Sequence, residues 1–158
     1  MDPVIRIQVD DFDVGEELLR LRRQPDGQPD TRVGAVASFV GTVRDRNEGV
    51  GVSTLTLEHY PSMTEQSISD IIETARVRWP LLAVSVIHRI GRLEPSDQIV
   101  FVGVTSAHRE AALEACHFIM DFLKTQAPFW KKEATPSGER WVEARASDDK
   151  ALDRWSAR

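Results

Sequence analysis

The chain of 158 residues has a single cysteine, Cys116. One cysteine excludes an internal disulfide, a CxxC redox pair and a four-cysteine zinc site. No apolar run approaches the roughly 20 residues that a membrane-spanning helix needs. The start, Met1-Asp2-Pro3-Val4, has no basic stretch followed by an apolar one, so no secretory leader is expected and a cytoplasmic location is. The GxGxxG, P-loop and HExxH patterns are missing, and His59, His88, His108 and His117 lack metal-ligand spacing. Neither a metal nor a cofactor is expected. The formal net charge of −5 argues against bulk binding to nucleic acid.

What is present is an apolar share of 41%, enough for one core without staples, so residues 1–158 read as a single domain. Val4–Val9 alternates like a strand. Asp13 is placed to cap a short helix over Val14–Arg22. Residues 24–30 form a loop of turn-forming residues. Gly34–Val43 reads as a mostly buried strand, Arg44–Gly49 as a polar loop, and Val52–Tyr60 as a strand with Leu55, Leu57 and His59 on one face. The spacing of Ile68, Ile71, Ile72, Ala75 and Trp79 predicts an amphipathic helix over Met63–Trp79, capped by Ser62 or Thr64 and ended by Pro80. Two strands follow, Ala83–Ile90 and Gln98–Thr105. A second amphipathic helix spans His108–Thr125, with Leu113, Cys116, Ile119, Met120 and Leu123 as its stripe. Arg140–Ala144 reads as a last short strand. Ser147–Arg158 reads as a polar tail with an exposed Trp155. Helices and strands alternate irregularly, and the two strands between the main helices are adjacent. The pattern predicts an α+β domain with a mixed or antiparallel sheet.

Within this acidic chain the basic side chains cluster, at Arg44, Arg46, His108, Arg109, Lys124, Lys131, Lys132 and Arg140. An acidic protein with a local basic site suits a small anionic ligand; solvated surface charge is the other reading. Three segments carry the chemistry. In Thr105–Arg109 an apolar strand runs into a helix start, whose free N–H groups attract anions. There Arg109 can chelate a phosphate or carboxylate and His108 can shuttle a proton. A simple cap with a surface histidine fits the same residues. In Phe122–Glu133, Lys124 closes a helix, and Pro128, two aromatics, Lys131, Lys132 and Glu133 follow. Lysines held beside Phe129 and Trp130 suit a nucleophile, an acid–base group or an oxyanion stabiliser. An amphipathic loop with surface lysines is the alternative. In Gly41–Asn47 a strand delivers Arg44 and Arg46 to a loop, which reads as a binding loop or as a charged hairpin turn. Cys116 lies on an apolar stripe and reads as a core residue.

Taken together, seven segments resemble the molybdopterin synthase catalytic subunit family. They are Gly41–Asn47 (GTVRDRN), Leu57–Thr64 (LEHYPSMT), Val86–Leu93 (VIHRIGRL), Val102–Arg109 (VGVTSAHR), Phe118–Lys124 (FIMDFLK), Ala127–Glu133 (APFWKKE) and Trp141-Val142-Glu143. The similarity covers roughly residues 34–144, in the family's order. It implies an α/β hammerhead-type domain with two main amphipathic helices. It implies a homodimer core that binds, on each subunit, a small ubiquitin-like sulfur carrier with a C-terminal Gly-Gly thiocarboxylate, giving a heterotetramer. It implies transfer of two sulfurs to cyclic pyranopterin monophosphate, forming the dithiolene of molybdopterin with opening of the cyclic phosphate. By motif position, Lys124 and Lys131 match the family's catalytic lysines, and His108 and Arg109 its substrate-binding pair. Thr42, Val43, Arg44, Lys132 and Glu133 are expected to line the same site. A phosphopterin- or nucleotide-binding module without turnover, and a scaffold for a ubiquitin-like tail, are the competing readings.

Overall fold

The computed structural model describes residues 2–142 and 146–156. In chain order its elements are β1 (Val4–Gln8), α1 (Val14–Leu21), β2 (Ala35–Thr42), β3 (Arg46–Asn47), β4 (Val50–Gly51), β5 (Thr54–His59), α2 (Met63–Arg78), β6 (Ala83–Arg89), β7 (Gly91–Leu93), β8 (Gln98–Ser106), α3 (Arg109–Gln126), β9 (Phe129–Thr135), β10 (Gly138–Val142) and α4 (Ala146–Ser156). Two four-stranded sheets result, ordered β1-β6-β8-β2 and β10-β9-β5-β7, and β3-β4 pair separately as a hairpin. The β1–β6 pairing is parallel and the rest are antiparallel, which is the expected mixed α+β pattern.

β6 and β8 are almost continuously apolar because both faces of their sheet are covered. Val84, Val86, Val102 and Val104 pack with Ile68, Ile72, Ala112, Ala115 and Ile119 of α2 and α3. On the other face Ile87 and Phe101 pack with Phe12 and Leu21 around α1. Gly103 leaves room there: a β-carbon would stand 2.3 Å from a methyl of Leu21. Asp13 caps α1 as expected, accepting from the Glu16 N–H at 3.1 Å. Ser62 makes no side-chain cap at α2. Thr64 is fully buried instead, accepting from the Tyr60 N–H and donating to the Pro128 carbonyl.

Several expectations change. Gly34–Val43 is not a mostly buried strand. β2 lies at a sheet edge, and Val36 and Phe39 remain 36% and 39% exposed. Leu113 is 61% exposed, because the stripe that faces the sheet runs through Ala112, Ala115, Cys116, Ile119 and Leu123, a turn of about 100° away from it. Small residues at 112 and 115 bring α3 close to the sheet. Between the strands expected at Ala83–Ile90 and Gln98–Thr105, Gly91–Leu93 forms a further strand, β7, which extends the second sheet. The strand expected at Arg140–Ala144 is β10, Gly138–Val142; Glu143 and Ala144 lie outside the described residues.

The largest change is the tail. Residues 147–158 read as polar, yet α4 is an ordered helix and Trp155 is only 3% exposed. Its ring meets Trp79 and Phe118 edge-on at 5.7 and 5.3 Å, and its indole N–H donates to Asp121 at 2.8 Å. Arg78 donates to the Trp155 carbonyl at 2.6 Å while its guanidinium sits 5.0 Å above Phe118. An aromatic anchor, joined by Arg154 at 3.5 Å from Asp121, thus holds a mostly polar helix. Among the described residues no helix is long and apolar enough to cross a membrane. Trp155→Ala should lower stability by about 3–5 kcal/mol, as for other buried aromatic truncations. Urea denaturation measures it, and a loss below about 1 kcal/mol would mean that α4 unfolds apart from the core.

Candidate active site

α3 carries Lys124 in its last turn, then Ala127 turns to an extended backbone and β9 begins at Phe129. Pro128 cannot continue the helix, so the chain reverses its character within two residues. Along β9 the side chains alternate. Phe129, Lys131 and Glu133 pair with His59, Leu57 and Leu55 of β5 and share their face, whereas Trp130 and Lys132 point the other way. Lys124 and Lys131 therefore reach one space from two elements.

That space is a cleft of about 280 Å³. Thr42 at the end of β2 borders it with Val43 and Arg44, Arg46 and Asn47 on the β3–β4 hairpin, Lys124 and Thr125 on α3, and Phe129, Lys131 and Glu133 on β9. Among the described residues, Arg44, Arg46, Lys124 and Lys131 share the cleft with one acidic lining residue, Glu133. Glu133 is only 5% exposed and its charge is already answered. Arg140 donates to Oε2 through Nε and Nη2 at 3.2 and 3.0 Å, and Asn47 donates to Oε1 at 2.7 Å. The cleft thus presents net positive charge to a ligand. Among the described residues no group of His, Cys, Asp and Glu could hold a metal.

Of the residues expected from sequence, Thr42, Val43, Arg44, Lys124, Lys131 and Glu133 come together here. Lys132 does not. It lies on the opposite face of β9, 3.1 Å from Glu139 and 5.3 Å from the Trp141 ring. His108 and Arg109 do not either. Both are exposed at the start of α3, and the fifteen residues to Lys124 span roughly 22 Å of helix. Cys116 is buried under α3, 3.8 Å from the Val102 carbonyl, and burial pushes its thiol up to about 11. A protonated thiol outside the cleft is no sulfur nucleophile.

Two residues that motif reading gave no role shape the cleft, one by lining it and one by backing its Phe129 wall. Asn47 is one. His88 is the other: it is 8% exposed, and its ring stacks on Phe129 with centroids 3.8 Å apart and planes 17° from parallel. Nδ1 lies 2.8 Å from the Arg89 carbonyl, which makes it the protonated nitrogen. Burial, with the charges of Lys131, Lys124 and His59 in support, lowers the His88 pKa to about 3. Strand alternation could have found it, because His88 shares the parity of Val84 and Val86 and so faces inward.

Fold and cleft define a class, an α+β protein that sets two lysines and two arginines from separate parts of the chain around one small cleft. The comparisons with known proteins make it particular. The family model described as MoaE protein matches residues 7–126. The molybdopterin synthase catalytic subunit of Escherichia coli is 59% identical over 91% of this chain and 92% of that relative. That of Ralstonia nicotianae is 56% identical over 97% of this chain and 84% of that relative. The solved molybdopterin biosynthesis MoaE protein of Burkholderia ambifaria superposes with a TM-score of 0.81 at 51% identity, covering 98% of both chains. The chain belongs to the MoaE family.

The neutral His88 sets a pH dependence. The unfolded chain takes up a proton below about pH 6.5, and the folded chain does not until about pH 3. Stability therefore falls as pH drops through that window, by about 1.4 kcal/mol per pH unit. Between pH 7 and pH 5 this residue should account for about 2 kcal/mol of lost stability. His88→Phe, which keeps the stack, should lose correspondingly less over the same interval in urea titrations. An equal loss in both proteins would place the acid sensitivity elsewhere.

Proposed function

We propose that the chain catalyses sulfur transfer to cyclic pyranopterin monophosphate, using as donor the C-terminal Gly-Gly thiocarboxylate of a small ubiquitin-like carrier, to form the dithiolene of molybdopterin. The observation that carries this is the convergence of Lys124 and Lys131 on a cationic cleft, while the chain's only thiol is buried elsewhere. Sulfur must then be brought in. Relatives that bear the name catalytic subunit fit an enzyme that works with a second kind of chain. Cytoplasmic action as one domain over residues 1–158, without nucleic acid or membrane, fits the same picture.

In the cleft, Lys124, Lys131 and Arg44 attract the carrier's anionic terminus and the substrate phosphate. As the thiocarboxylate sulfur bonds to a pterin side-chain carbon, a carbon–oxygen bond at that carbon breaks and its oxygen leaves with the opened phosphate or as water; the carrier is then an acyl group on that sulfur. Attack on the acyl carbon by water, or first by a neutral lysine, breaks the carbon–sulfur bond to the carrier and leaves the sulfur on the pterin. A lysine acyl adduct is then released by water, so the carrier leaves as a carboxylate either way. The oxyanion that forms during attack lies between two ammonium donors, or one if the other has reacted. In single-turnover experiments at saturating carrier, Lys124→Ala and Lys131→Ala should each transfer sulfur about 100- to 1000-fold more slowly while still binding both reactants. Wild-type rates would leave the lysines with charge docking alone, and binding without turnover by the wild type would favour a binding module.

His108 and Arg109 enter through a second copy. Among the described residues β2 pairs on one edge only, and Val36 and Phe39 on it are exposed. Its Thr42 end borders the cleft, and its Ala35 end pairs with Ser106, two residues before His108. Two copies joined antiparallel along this edge by a two-fold axis would set one copy's Ala35 end against the other's Thr42 end. Arg109 and His108 of one copy would then complete the phosphate site of its partner. Arg109→Ala should weaken substrate binding by about 1.5–3 kcal/mol. At substrate concentrations well below KM, mixing the impaired Lys131→Ala and Arg109→Ala chains should restore about one quarter of wild-type activity, because half the dimers then hold one intact site of two. No recovery after verified exchange would place both residues in a site of one chain.

A further inference from the structure

The β3–β4 hairpin stands apart from both large sheets. Its ladder is two residue pairs long, Arg46 with Gly51 and Asn47 with Val50. The turn runs through Glu48 and Gly49, both in the left-handed region at φ 52° and 82°. That is the backbone of a tight hairpin turn, but an isolated ladder of this length does not hold a position in water. The bonds internal to the hairpin, from the Arg46 guanidinium to the Gly49 carbonyl and from the Val52 N–H to the Asp45 carbonyl, fold it without attaching it to the body. The buried Val52 and the Ser53 N–H, bonded to the Ala134 carbonyl at 2.9 Å, hold its returning end, and the turn end is attached through Asn47. Its amide donates to Glu133 Oε1 at 2.7 Å, and its own carbonyl accepts from Arg140 Nη2 at 3.4 Å.

Glu133 suits an anchor. It is buried, so a hydrogen bond to its charge is worth more than one made in water. Arg140 fixes it from the far side through two bonds to the other oxygen. With both oxygens engaged, the carboxylate is not free to act as a base or to meet an anionic substrate. The segment that it holds carries Arg46 and follows Arg44, two of the four cleft cations. Arg44 has no ion-pair or hydrogen-bond partner among the described residues, so its place depends on the course of the backbone.

We propose that Asn47 is a positioning residue: bonded to the buried Glu133–Arg140 pair, it latches the hairpin against the cleft and so aims Arg44 and Arg46 at the anionic substrate. The functional part of this rests on the sulfur-transfer assignment; the latch itself does not. Its loss lowers the fraction of molecules with both arginines in place and acts on substrate binding first. The lysines sit on α3 and β9, outside the hairpin, and keep their positions.

Hydrogen exchange over residues 44–52, together with steady-state kinetics using the thiocarboxylated carrier and cyclic pyranopterin monophosphate, tests this on the full chain. Asn47→Ala should raise exchange in that segment about tenfold and leave α3 and β9 as protected as in the wild type. The KM for the pterin should rise by a similar factor with kcat changed less than threefold. Asn47→Asp sets a second carboxylate against Glu133 and should open the hairpin at least as far. Unchanged exchange in both variants would overturn the latch, whatever the wild type catalyses. Opening of the hairpin with an unchanged KM would overturn its role in substrate binding. Opening in a chain whose wild type transfers no sulfur would keep the latch and remove the sulfur-transfer assignment instead.

Discussion

Between Gln126 and Phe129 the chain stops being helix and becomes strand, and the cleft exists because of that corner. Were α3 to continue, Lys131 would lie nearly two turns beyond Lys124, about 10 Å further along one rod. Three contacts hold the corner instead. The Phe129 N–H bonds back to the Ala127 carbonyl at 2.9 Å, closing a tight turn. The buried Thr64 hydroxyl donates to the Pro128 carbonyl at 2.9 Å and accepts from Tyr60, tying the corner to the start of α2. His88, from the other sheet, stacks on the Phe129 ring. Helix 2, helix 3 and both sheets therefore meet at one bend, and the spacing of the two lysines is a property of the core rather than of a loop.

Concentrating cations has a cost, and the structure limits it in two ways. Lys124 and Arg44 stay exposed, so little of their hydration is lost. The group packed behind them, His88, is neutral, and its one resolved hydrogen bond is satisfied by a backbone carbonyl rather than by an acid that would offset the cleft. A carboxylate there would have neutralised the lysines from behind. Glu133 is the exception that faces the cleft, and Arg140 cancels it locally. A chain with net charge −5 thus keeps a positive field in one place, where it can steer a small anion.

Much of this was legible in the residues because local rules and tertiary packing agree. Ile68, Ile71, Ile72 and Ala75 face the core as their spacing requires, and β6 and β8 are covered on both faces, their valines packing toward α2 and α3 and Ile87 and Phe101 toward α1. Legibility fails where one neighbour decides the outcome. Leu113 is more apolar than Ala112, but close approach of helix to sheet selects the smaller residue. Val36 and Phe39 have the character of core residues and lie instead along an edge whose cover is not supplied by the described residues. Trp155 looked exposed in a polar segment, and only the aromatic box of Trp79 and Phe118 reveals why it is there. Lys131 and Lys132 are adjacent, so a strand must send them to opposite faces; the stretch hid its strand character because aromatics and lysines occur on both. Asn47 and Glu133 lie 86 residues apart, and no local pattern joins them.

The separation of Arg109 from Lys124 follows from a different constraint. α3 is a rigid spacer of eighteen residues with a cationic group at either end. A helix cannot fold back on itself to unite its ends, so both ends serve the same reaction only if two copies share sites. In the two-fold arrangement proposed above, the N-terminus of each α3 lies at one cleft and its C-terminus at the other. Both clefts then depend on the same pair of helices, and each helix is seated on its sheet by Ala112, Ala115 and Ile119, all fully buried. A shift of α3 along its axis would carry its own lysine away from one cleft and move its arginine relative to the other. Close packing against the sheet suppresses such a shift. The small residues that mislead an apolar-stripe reading of this helix are thus the ones that fix the geometry of two sites at once.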